Sequence, residues 1–204
     1  MFGAAIGVHD GLITTGRLPS FTRAGQQITA MEFAWLTLMG LVAALAAAFI
    51  DTGAQIPGQA IVRAILPMAL GLSLVPRRLA GSVMSASAIV SAVGINLSGL
   101  AGVGTGAMTS LVVTGPALDL ALRHAKPGWP LYASFVMAGI GSNLAALLVR
   151  LATKMATMDH SGRRIAQWLP QALWTYPVCG AVAGFVSALL WFHYSSKRQK
   201  AEAA

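Results

Sequence analysis

An acid inside an apolar stretch is the first place to look for chemistry. Asp119 lies in the run 105–122, "TGAMTSLVVTGPALDLAL". In the middle of a bilayer such a carboxylate would cost about 2.5–3.5 kcal/mol, which sets it aside as a proton relay, a partner-docking group or half of an ion pair. Arg123 follows at i+4, where two helical side chains meet, so an interfacial Asp119–Arg123 pair is the expectation. Glu32 opens another apolar run, where a negative charge suits the positive end of a helix.

The glycines of "GVGTG" at 102–106 raise the question of a phosphate-cradling loop. A dinucleotide loop needs a strand before the glycines and an acid about 20 residues on. Here the glycines join two apolar runs, and no GxxxxGK[ST] occurs anywhere, so the chain itself is not expected to hold ATP. They read instead as a tight, uncharged turn dipping towards a polar cavity. His9, His124, His160 and His193 show no helical pairing, so neither a haem pair nor an HExxH zinc site can be drawn. The single cysteine, Cys179, excludes an internal disulfide and a multi-thiolate metal site. No nucleophile, paired-glutamate or multi-aspartate signature of an intramembrane enzyme is present. Neither an enzyme nor a cofactor is expected.

The amides offer more. Asn96 and Asn143 each fall within apolar runs, and an amide in lipid needs partners. They either tie helices together or line a pocket. In the second reading Asn96, Ser98, Thr105, Thr109, Asn143 and Tyr176 form one outward-facing substrate site, with Trp168 and Trp174 near its mouth. Tryptophans at that level also serve as interfacial anchors.

The elements that would position these residues follow from composition. Of 204 residues, 56% are hydrophobic and only 10% charged, against roughly 25% in a soluble domain. So few charges cannot cover a surface in water, and the solvent is expected to be lipid. Windows long enough for membrane helices run over 29–50, 61–75, 79–100, 105–122, 130–152 and 168–191, the second short and the fourth semipolar. The expected fold is all-α: a compact polytopic bundle of about six transmembrane helices over 28–194. Residues 1–27, without the basic start and apolar core of a signal peptide, are expected to be interfacial or folded back on the bundle, and 195–204 to be a basic cytoplasmic tail.

The net charge of +8 does not indicate nucleic acid, because the basic residues cluster between the apolar windows rather than along one face. With the N-terminus inside, Arg17, Arg23, Arg77, Arg78, Arg123, Lys126, Lys197, Arg198 and Lys200 fall on the cytoplasmic side. Both termini are then cytoplasmic. Arg63, Arg150, Lys154, Arg163 and Arg164 fall on the other side and run against the rule. No run of carboxylates or arginines names a charged substrate. Small residues recur at i+4 steps: Gly40, Ala44 and Ala48 with Ala43 and Ala47, then Ser134, Ala138, Ser142 and Ala146, and a Gly180–Gly184 GxxxG. Such rows let helix backbones, or a partner helix, approach closely.

A chain of this size with six spans, both ends inside, a polar outer end and AxxxA rows at Ala43/Ala47 and Ala44/Ala48 resembles the substrate-binding (S) component of an energy-coupling-factor (ECF) transporter. The resemblance covers about residues 28–194. It implies capture of a vitamin-like small molecule, or a transition-metal ion, from outside. The cargo then passes to one coupling membrane protein and two ATPases in a bacterial inner membrane. It also implies that the first-helix row docks the coupling subunit, and that the loops 51–60, 101–106 and 155–167 cap the site. Metal-transporting members use a histidine at the second position with the N-terminal amine. This chain has Phe2 there, and only "VHDG" with His9 is similar, so an organic substrate is favoured.

Two other readings remain open. An accessory structural subunit of a larger membrane complex explains the small-residue rows equally well. A small channel or carrier is less favoured, since the chain shows neither duplicated halves nor a central acid.

Overall fold

A computed structural model describes residues 28–50, 57–77, 79–124, 129–156 and 162–202. Side chains are described to residue 123 in the fourth helix, and at 168–191 and His193 in the last. The described chain is helical without strands: α1 (Ala30–Phe49), α2 (Ala60–Leu74), α3 (Ala80–Ser98), α4 (Thr105–His124), α5 (Trp129–Ala156) and α6 (Gly162–Glu202). The helices α1, α3, α4 and α5, with 168–191 of α6, are long and apolar enough to cross a membrane. The chain is therefore a multi-pass membrane protein of compact helical-bundle architecture.

Neighbour contacts arrange the helices as a ring in the order α1, α3, α4, α5, α6 and α2, with α2 also touching α4 across the middle. The short second window is thus the most enclosed helix. Ile61, Ala64, Ile65, Met68, Ala69 and Leu72 are all buried. Its 15 residues span about 22 Å at 1.5 Å each, less than a bilayer core of about 30 Å. A helix that short leaves room at one end of the ring.

Close packing depends on missing side chains. A Cβ on Gly115 would overlap the Gly81 carbonyl, joining α3 to α4, and one on Gly139 would overlap the Gly180 carbonyl, joining α5 to α6. The GxxxG pair behaves as expected, since Gly180 and Gly184 both lie against the α5 backbone. The first-helix row is corrected. Gly40, Ala43 and Ala44 are buried, and a Cβ on Gly40 would overlap the Met84 carbonyl of α3. Ala47 and Ala48 are half-buried against the same core. This row holds α1 to α3 and is not an open docking face.

The end of the bundle holding the α1, α3 and α5 N-termini is pinned by two carboxylates. Thr29 and Glu32 form a reciprocal capping box on α1. Glu32 also takes Arg77 Nε at 3.0 Å and Nη2 at 2.9 Å, tying the α2–α3 connection to the start of α1. Asp119 departs from expectation. Its carboxylate accepts the Gly81 and Ser82 backbone N–H groups, both at 2.8 Å, and the Ser82 hydroxyl at 2.7 Å. It therefore caps α3 from a neighbouring helix instead of pairing with Arg123, because the unsatisfied N–H groups of a helix start are donors that a carboxylate can accept from while it stays partly buried. Leu79, just before α3, takes the left-handed conformation at φ 65°, which few non-glycine residues adopt.

Candidate functional site: a basic cavity at one end of the bundle

The opposite end contains a cavity of about 620 Å³. Pro57–Arg63 at the start of α2, Gly104–Ala107 and Ser110 at the start of α4, the end of α5 and the start of α6 line it. Of the three connections expected to cap a site, 57–60 and 104–106 line the cavity, while 51–56 and 157–161 lie outside the described residues. The volume is within the roughly 300–1,000 Å³ usual for small-molecule pockets.

Asn143 is a deeply buried polar group of the wall, at 1% exposure. Its Nδ2 donates to the Tyr176 carbonyl at 2.7 Å and to the Gly58 carbonyl at 3.0 Å, so one amide joins α5, α6 and the approach to α2. Gly58 is required there twice over. Its φ is +93°, and a Cβ would come within 3.0 Å of Tyr176 Cα. Asn143 Oδ1 has no hydrogen-bond partner. Asn143 is also among the residues that line the cavity.

The charged side chains among the described lining residues are all of one sign. Arg63, Arg150 and Lys154 line the cavity, and no carboxylate does so among the described residues. Arg63 sits in the first turn of α2, the wrong end of a helix for a cation. It donates through Nη1 to the Ile50 carbonyl at the end of α1, and its buried Nε has no partner. Arg150 reaches the Tyr176 hydroxyl at 3.4 Å and stands 5.6 Å from the Trp168 ring centre. Lys154 Nζ stands 4.1 Å from the same ring centre. An aromatic face attracts cations, so Trp168 holds both side chains at the rim. The ion pair found among the described residues, Glu32–Arg77, lies at the far end. The starts of α2 and α4 also face the cavity, presenting N–H groups and the positive ends of helix dipoles.

The expected site residues divide evenly. Thr105, Asn143, Trp168 and Tyr176 do line the cavity. Asn96 does not reach it. Its amide grips the Val103 backbone, accepting from N–H at 2.7 Å and donating to C=O at 3.3 Å, and so closes the glycine turn. Ser98 and Thr109 are likewise turned to local backbone, bonding the Ile95 and Thr105 carbonyls. Trp174 is 78% exposed on the outside of α6. His9 lies outside the described residues, and among those described no cluster could hold a metal ion.

Sequence reasoning missed Arg63, Arg150, Lys154, Ser110 and Gln171. A signal was present for the three cations, which are among those that run against the inside-positive bias. Charges kept on the unfavoured side ask for a local reason. No protein-family model, curated protein or solved structure matches this chain.

Proposed function

We propose that this chain captures a small solute at the cavity end of the bundle, as the substrate-binding subunit of an uptake transporter of the ECF type. The observation that carries the reading is the 620 Å³ polar cavity, built where the interhelix connections converge and opposite the end pinned by Glu32 and Asp119. Placing Arg17, Arg23, Arg77 and Arg123 in the cytoplasm turns the cavity outward, towards the source of an imported solute. A bacterial inner membrane fits this arrangement. The sequence carries no GxxxxGK[ST] motif, so on this reading energy comes from partners: a coupling membrane protein and ATPases. With the small-residue row of α1 committed to α3, such a partner would meet other surfaces of the bundle.

The test is purification of the full chain from its native membrane in mild detergent, with co-purifying proteins identified by mass spectrometry. Two ATPases and one coupling membrane protein are expected. A stable set of subunits from another complex, with no ATPase, would return the chain to the accessory-subunit reading.

A further inference from the structure

We infer that the cavity takes a small organic anion that also carries a hydrogen-bond donor, its acidic group held by Arg63 and Arg150 and its N–H or O–H received by Asn143 Oδ1. This inference rests on the capture reading and names the chemical class of the solute.

Three independent observations converge on it. The first is charge. Arg63 and Arg150 line one cavity with no carboxylate among its described lining residues, and Lys154 stands beside them. Clustered cations repel one another, and a bound anion reduces that repulsion. The second is the backbone. The starts of α2 and α4 border the same space, and a helix start favours anions through its free N–H groups. The third is the buried asymmetry of Asn143. Its donor side has two carbonyl partners, whereas its acceptor oxygen has none. A buried acceptor without a donor carries a desolvation penalty that a ligand N–H or O–H would relieve. A simple halide or sulfate satisfies the first two observations and fails the third. A hydroxy acid, an amino-acid-like acid or a phosphate monoester with a free hydroxyl satisfies all three.

The same chemistry exists in two places: a dissolved acid, and the headgroup of an anionic lipid such as phosphatidylglycerol. The full chain is therefore reconstituted in phosphatidylcholine nanodiscs, and thermal stability is followed with a panel of soluble compounds. The panel holds hydroxy acids, amino-acid-like acids and phosphate monoesters, each beside its neutral amide or dephosphorylated form, together with amines. Stabilisation is expected from acids and not from their neutral partners. For the best acid, Arg150→Gln and Arg63→Gln should each weaken binding by about tenfold or more, the range for a lost charge-assisted bond. Arg123→Gln, at the other end, should leave affinity unchanged. Arg150 is exposed at the rim, so its variant stays informative if Arg63→Gln fails to fold.

Stabilisation by neutral compounds or amines alone would overturn the anion assignment and leave solute capture standing. An equal loss for an acid and its amide in Arg150→Gln would likewise overturn it. No stabilising compound, with no effect of lipid either, would remove the capture reading and this inference together. Stabilisation by phosphatidylglycerol nanodiscs that no soluble acid reproduces, and that Arg63→Gln or Arg150→Gln abolishes, would uphold the anion chemistry and assign it to a lipid headgroup instead of a transported solute.

Discussion

The Asn143 amide donates to the Tyr176 carbonyl at 2.7 Å, and this bond closes the base of the cavity between α5 and α6. Because the same nitrogen also holds Gly58, removing it leaves two carbonyls without that donor. Asn143→Leu should therefore lower stability by about 1–3 kcal/mol as well as abolish solute binding. Unfolding of the detergent-solubilised protein measures the first. An unchanged unfolding midpoint would show that the amide ties nothing together.

Asp119 and Arg123 give a second, sharper contrast. If the carboxylate caps α3, Asp119→Ala loses about 0.5–2 kcal/mol, the usual cost of a helix cap. Arg123→Gln should then stay within about 0.5 kcal/mol of the parent chain. Equal losses in both would restore the ion pair that the sequence spacing invites.

Glycine substitutions should separate by position. Gly115→Ala and Gly139→Ala push a methyl group into a facing carbonyl and should destabilise by about 1–3 kcal/mol. Gly94 and Gly141 have open space around the missing Cβ. Their alanine variants should be neutral or gain up to about 1 kcal/mol from helix propensity. Thermal unfolding of the four variants side by side checks the ordering, and uniform effects would contradict backbone-to-backbone packing.

The small residues of α1 make a prediction opposite to a docking role. Ala44 is buried, whereas Leu45 is partly exposed on the outer side of the helix. Ala44→Trp should sharply reduce recovery of folded protein, and Leu45→Trp should not. A well-folded Ala44→Trp chain that fails only to join its partner would bring the docking row back.

Membrane orientation is open to direct labelling. In a Cys179→Ala background, Gln171→Cys at the cavity should react with an impermeant maleimide added to intact cells, and Arg123→Cys should not. The reverse pattern would place the cavity in the cytoplasm and end the uptake reading.

The bundle was legible in the sequence because lipid imposes a coarse requirement: apolar windows of sufficient length, with charges between them. Part of the cavity lining was legible too, since Thr105 and Trp168 open their windows at the end where the cavity lies, and Asn143 and Tyr176 are polar groups further into theirs. What eluded linear reading was direction within each helix. In alanine- and glycine-rich segments every face looks alike, so Asn96 and Thr109 could not be told from Asn143 by spacing. The role of Asp119 was hidden for a related reason. A sequence offers a side chain its neighbours at i+4, but not the N–H groups of a helix start 38 residues away. Arg63 and Arg150 are 87 positions apart, and only the fold brings them to one space.

The glycine contact between α5 and α6 also bears on how such a chain can diverge over evolutionary time. Gly139 lies one turn from Asn143, and Gly180 one turn from Tyr176. Two backbones pressed together at Gly139 and Gly180 have no side chains between them to exchange, so this contact admits few viable substitutions. On the capture reading, divergence in solute preference would fall on lining side chains such as Gln59, Arg150 and Gln171, while the Gly139–Gly180 contact stays as the inherited frame.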